Sequence, residues 1–252
     1  MDMSHMVRTS ARVASVIVAL GCMGVAPSLA VTFTDANFNN ADWNATKIVD
    51  TTPGNAASFT AAQVTSGGNP GSFREVTQTY NSGAITVAHL NNPALYNPTT
   101  GGPISSVDFA YDIIRLNPSS NAPLVGYAGL AFQNGSHYEA PVDTIGTATW
   151  THFNHAGLSP SNFTRVAGAG PATPDFSATG TPIRFGYITF NAAAAGSAVI
   201  TTDSGIDNWT VNITSSGGST TGVPSAIPEP STWLLLGSGL TGLAAWRKRH
   251  HA

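Results

Sequence analysis

From Val31 to Ile213 the chain carries no sustained apolar repeat near 3.6 residues, and this constrains its fold more than any other feature. In place of helical periodicity, short runs alternate apolar and polar residues and are cut by Gly, Pro and Asn. The longest spans Ile104 to Leu116. Val107, Phe109, Tyr111 and Ile113 share one face of it, and Ser106, Asp108, Ala110 and Asp112 share the other. Similar runs cover 72–80, 84–90, 124–133, 137–142, 148–153, 183–191 and 208–213. Turn formers separate them at Gly67-Gly68-Asn69-Pro70, Asn81-Ser82-Gly83, Asn117-Pro118 and Asn134-Gly135. The one helix-friendly stretch, Ala192 to Ala195, is too short to matter. Many short strands at this spacing predict an all-β sandwich or barrel, assigned here to residues 31–214.

Only 9% of the residues are charged, against roughly 25% in ordinary soluble domains, so hydroxyls and amides supply the surface polarity. Between Val31 and Pro228 stand five basic residues (Lys47, Arg74, Arg115, Arg165, Arg184) and eleven acidic ones, a net charge of −6. Nucleic acid is excluded as a partner on this ground, because phosphate binding needs clustered Lys and Arg. The single cysteine, Cys22, lies in a segment expected to be removed, so the mature body holds together without disulfides.

The two ends read as addresses. Arg8 and Arg12 precede the apolar run Val13 to Val25, and Pro27-Ser28-Leu29-Ala30 follows with small residues at −3 and −1. Residues 1–30 are a secretory signal peptide in this reading, cut by signal peptidase after Ala30. A lipoprotein signal at Cys22 is the variant reading, with Ala19 standing where such signals place Leu. Residues 215–226 are rich in Gly, Ser and Thr, a flexible linker. Beyond it come Pro228-Glu229-Pro230, an apolar segment bracketed by Trp233 and Trp246, and the basic stop Arg247-Lys248-Arg249. The Pro-Glu-Pro triplet stays extended, the tryptophans suit the two membrane interfaces, and the cations hold the end on the cytoplasmic side.

Extended triplet, short glycine-bearing transmembrane helix and basic tail, in this order at 227–252, closely resemble the PEP-CTERM sorting signal. The resemblance implies recognition and cleavage by exosortase. It also implies export across the inner membrane of a Gram-negative bacterium, transient C-terminal anchoring, and delivery to the surface or the exopolysaccharide and biofilm matrix. A permanent single-pass anchor is the plainer alternative. In the body, the order Phe33, Phe38 and Trp43, then the strand Val107–Ile113, the hairpin Asn134-Gly135-Ser136-His137-Tyr138, Trp150-Thr-His-Phe153 and the closing Gly205–Val211 resembles extracellular jelly rolls of the concanavalin A-like type.

Chemistry is sparser. Glycoside hydrolysis needs two carboxylates about 5 to 9 Å apart, yet Glu75 and Glu139 have no acid two residues away. Asp108 and Asp112 sit about 13 Å apart on one strand face, which reads as a solvated outer surface. His152 and His155, three apart on a strand, point to opposite faces and read as surface histidines rather than a metal chelate. The jelly-roll resemblance implies a structural Ca²⁺ between an acid on the last strand, Asp207, and acids near the first, Asp35 with Asp42, helped by Asn37 or Asn208. A turn at Asp207-Asn208 is the competing reading. Tyr96, Tyr127, Tyr138 and Trp150 are candidate sugar-stacking aromatics, with core packing as the alternative. The expectation is a non-enzymatic exported surface protein with no catalytic residues. A lectin-like carbohydrate-binding module is the first alternative and a cryptic glycan-active enzyme the second.

Overall fold

In the computed structural model, residues 28–117 and 124–217 are described. Most of the signal segment with Cys22, most of the linker, the triplet Pro228-Glu229-Pro230, the Trp233–Trp246 segment and Arg247-Lys248-Arg249 lie outside them. Among the described residues no helix is long and apolar enough to cross a membrane.

Twelve strands make the body: β1 (Ser28–Asp35), β2 (Trp43–Asp50), β3 (Ser58–Gly68), β4 (Gly71–Tyr80), β5 (Gly83–Tyr96), β6 (Ile104–Arg115), β7 (Val125–Gln133), β8 (Ser136–Ile145), β9 (Thr151–Leu158), β10 (Thr164–Ala167), β11 (Ile183–Ala193) and β12 (Ile200–Ser216). They form two six-stranded antiparallel sheets. Sheet A runs β3-β4-β12-β6-β9, with β1 beside the second half of β12, and sheet B runs β10-β8-β7-β11-β5-β2. The architecture is therefore the expected all-β sandwich.

The turn chemistry locates several connections. Asn134 and Gly135, both at positive φ, close a two-residue hairpin between β7 and β8. Other elements differ from the expectation. β1, β2, β3 and β10 stand outside the alternating runs. The closing strand starts at Ile200 rather than Asn208, because its first half, ITTDSGI, alternates polar residues and Gly that both faces of sheet A accept. β12 also runs to Ser216, and Ser215 is fully buried, so the sandwich ends two residues beyond 214. Ser28–Ala30 belong to β1; cleavage after Ala30 would leave Val31–Asp35 paired with Trp209–Ile213.

The core lies between the sheets. Val107, Phe109, Tyr111 and Ile113 are all fully buried, as their alternation requires. Trp209 from β12 meets the edge of Trp43 at 5.2 Å, and Trp43 packs on Tyr187 at 5.2 Å. Asn208, at φ 51, makes a bulge that shifts register from Asp207 opposite Asp112 to Thr210 opposite Ala110. This bulge turns Trp209 inward while Asp207 stays on the other face.

Candidate functional site: the outer face of sheet B

Alternation leaves one face of sheet B turned away from the core, and the strand registers order its side chains into rows. One row crosses five strands: Leu95 on β5, Arg184 on β11, Phe132 on β7, His137 on β8 and Ala167 on β10. The next row holds Asn44, Leu90, Gly186, Leu130, Glu139 and Thr164. On the same face, Ala88, Leu130 and Ile188 form a buried apolar patch, with Ile48, Leu90, Val166 and Phe190 half-buried around it. The Phe190 ring lies on Gly126, where an added Cβ would fall 2.1 Å from the ring. Only a residue without a side chain at 126 lets this phenyl lie flat on the sheet.

The polar end of the face is built from the β7–β8 hairpin. Its two-residue turn pairs Gln133 with Ser136, and so sets Phe132 opposite His137. Their ring centroids are 4.7 Å apart. Pro141 sits in the β8 bulge between Glu139 and Val142, where a ladder hydrogen bond is already missing. His137, Glu139 and Arg184 are half-buried, yet among the described residues none of the three makes a side-chain hydrogen bond or ion pair. The His137 Nδ1 and Arg184 Nε atoms are shut off from solvent without a partner. Burial pushes the Glu139 carboxyl up and the His137 imidazole down from their ordinary values. A partly desolvated cation, imidazole and carboxylate around an aromatic floor form a face able to hold a polar ligand with flat apolar surfaces.

Sheet A places its charges differently. Asp207 lies opposite Asp112 on adjacent strands. Asp207 accepts from the backbone N–H of Asn69 and of Asn208, while Asp112 accepts from Asn208 Nδ2 (2.7 Å), Asn69 Nδ2 (3.2 Å) and His152 Nδ1 (2.7 Å). Burial first, then the charges of Asp112 and Asp35, raise the Asp207 carboxyl, against the two backbone donors that lower it. Asp112 is therefore a buried acceptor at 5% exposure, not the solvated surface acid expected, because the cis Asn69-Pro70 turn and His152 cover it. Asp108 is half-buried and accepts from Gly157 N–H. The two histidines of β9 do face opposite ways. His155 is not a surface residue: with Tyr111 it donates to the same Asp143 oxygen, at 2.8 and 2.7 Å, joining the two sheets.

Asp35 and Asp207 have separate hydrogen-bond partners. Asp35 Oδ1 accepts from the N–H groups of Asn37 and Phe38, and its Oδ2 accepts from Trp43 Nε1, which closes the turn after β1. Asp207 turns to Asp112 instead. Among the described residues no three His, Cys, Asp or Glu side chains gather as metal ligands. Asp35 and Asp42 instead border a cleft of about 380 Å³ beside Asn37, Asn91 and Pro93.

Three of the four candidate stacking aromatics are core. Tyr96, Tyr127 and Tyr138 are at most 4% exposed. The Tyr96 and Tyr127 hydroxyls are spent on Gly101, Gly102 and Ser204. Trp150 is half-buried, donates to Gly67 O and sets its ring edge-on to Phe73. For the residues that line sheet B's outer face, the sequence signal is the Asn134-Gly135 turn, which sets Phe132 opposite His137.

Among solved structures, the body is similar to several carbohydrate-binding modules. The family 11 module of a cellulosomal cellulase from Clostridium thermocellum is 17% identical, covering 76% of this chain and 98% of its own, with a TM-score of 0.41. The C-terminal family 22 module of a Clostridium thermocellum xylanase is 13% identical, covering 75% and 95%, at 0.39. A module described for specific mannan recognition is 11% identical, covering 75% and 99%, at 0.38. No curated protein matches the sequence. At residues 226–249 the chain carries the PEP-CTERM protein-sorting motif. The motif implies export, C-terminal anchoring before cleavage, and processing by exosortase.

Proposed function

We propose that this chain is a non-enzymatic surface protein of a Gram-negative bacterium. In this reading signal peptidase removes its leader after Ala30 and exosortase cuts near Pro228-Glu229-Pro230. The sandwich then binds polysaccharide of the surface or biofilm matrix on the outer face of sheet B. The observation that carries the binding reading is the row Arg184–Phe132–His137, with Glu139 beside it: polar groups left without partners around an aromatic ring. Aromatic faces stack on the apolar faces of sugar rings, and unmet donors and acceptors take hydroxyls. The non-enzymatic reading is supported by the neighbours of Glu139. Its cross-strand partners are Leu130 and Thr164, so no second carboxylate stands opposite it to complete a hydrolytic pair.

Two measurements test the proposal. Intact mass and cell fraction with and without exosortase should give a product starting near Val31 and ending near Pro228, and full-length membrane material when the enzyme is missing. Persistence of the Trp233–Ala252 segment in both strains would replace sorting with permanent anchoring. Affinity electrophoresis of the processed protein through polysaccharide gels should show retardation that Phe132→Ala abolishes and Asp42→Asn, in the other cleft, leaves unchanged. Retardation lost equally with Asp42→Asn would move the site off sheet B.

A further inference from the structure

The charges on the binding face narrow what it takes. This inference rests on the polysaccharide reading above and specifies its ligand. Arg184 holds a guanidinium on a half-buried sheet face with no carboxylate within ion-pair distance among the described residues, and its Nε is sealed from water without an acceptor. Glu139, the acid on the same face, is displaced by two strands and one same-face step, about 12 Å by ordinary sheet spacings. His137 is two strands away in the same row, about 10 Å, with Phe132 as the floor between it and Arg184. A hydroxyl can meet the unfilled N–H groups of Arg184, but it leaves the partly desolvated charge uncompensated. A carboxylate meets both, since its two oxygens match the guanidinium fork.

We infer that the ligand is an acidic polysaccharide, a chain of uronic acid units or of sugars bearing a carboxylate. One ring lies on Phe132, its carboxylate is paired with Arg184, and its hydroxyls reach toward His137. General charge attraction does not account for such binding, because the body between Val31 and Pro228 has a net charge of −6 and repels polyanions at a distance. Selectivity for the acid must therefore come from a local contact, and Arg184 is the basic residue that the strand registers put beside the ring.

The test uses the exosortase-processed protein, titrated calorimetrically with oligomers of galacturonate, glucuronate and mannuronate, each against its methyl ester. Esterification keeps the backbone and removes the charge. The expected result is binding of at least one acidic oligomer, weakened roughly 10- to 100-fold by its esterification and by a similar factor in Arg184→Met. Arg184→Lys should recover only part of it, since an ammonium keeps the charge but not the fork. Each variant is first shown to melt with the wild type. Equal binding of acid and ester, or binding confined to neutral glucan, xylan or mannan oligomers, overturns the acidic assignment while the polysaccharide reading stands. Binding to none of these polysaccharides overturns both. Acid binding that survives Arg184→Met unchanged assigns the carboxylate to another residue and overturns the inference as stated.

Discussion

The two outer faces of the sandwich treat their polar residues in opposite ways. On sheet A, Asp112, Asp207, Asn69, Asn208 and His152 are joined in one hydrogen-bonded group that pins the turn between β3 and β4. On sheet B, Arg184, His137 and Glu139 surround Phe132 and bond to nothing described. Asp112 and Asp207 are buried on sheet A, and the three sheet B groups are half-buried, so both faces bear a desolvation cost. Sheet A offsets that cost within the fold. Sheet B leaves it for a ligand to offset, and this division separates structural polarity from binding polarity.

The comparison breaks most visibly at Asp112. Asp112→Ala removes the acceptor shared by Asn69, Asn208 and His152, and should cost about 2–3 kcal/mol in urea unfolding. Loss below about 0.5 kcal/mol would mean that the sheet A group is ornamental to stability. The matching change on sheet B, Arg184→Met, should leave unfolding within about 0.5 kcal/mol of wild type, because no folded-state bond is lost. A large destabilisation there would make Arg184 a structural residue.

The smallest effect is a pH dependence that sharpens the contrast at Asp207. Its folded pKa is raised above the ordinary 3.8, so the folded state holds the proton more tightly than the unfolded chain. Its contribution is most favourable below the unfolded pKa and declines as pH rises from there through the folded pKa. Urea midpoints measured from pH 3 upward should fall more for wild type than for Asp207→Asn across that window. Parallel profiles would mean that the backbone donors Asn69 and Asn208 cancel the burial of the carboxylate. Glu139 is raised in the same direction by burial, so Glu139→Gln gives the corresponding comparison on sheet B.

Much of the sandwich was legible from alternation. Val107, Phe109, Tyr111 and Ile113 were placed on one face, and they are core. The turns at Asn69-Pro70, Asn81-Ser82 and Asn134-Gly135 fall between strands, and Ser82, Asn134 and Gly135 take the left-handed backbone that ends a ladder. The first half of β12 was not legible because polar residues are buried there. Thr202 and Ser204 turn inward, near Gln78, Asn191 and Tyr127, in a partly polar interior that hydrophobic pattern does not signal. The tyrosines that looked available for stacking, Tyr127 and Tyr138, carry their hydroxyls into the core, where a flat ring packs as well as any aliphatic one.

Local sequence by itself determined the all-β class, most of the turns, the opposition of Phe132 and His137, and the sorting motif at the C-terminus. Each depends on residues a few positions apart, which fix backbone dihedrals or an uninterrupted linear motif. Only the tertiary structure decided that Asp207 lies opposite Asp112, and that Arg184 stands beside Phe132. Those contacts join strands 95 and 52 residues apart, and their register is set by bulges and by which faces the two sheets bury.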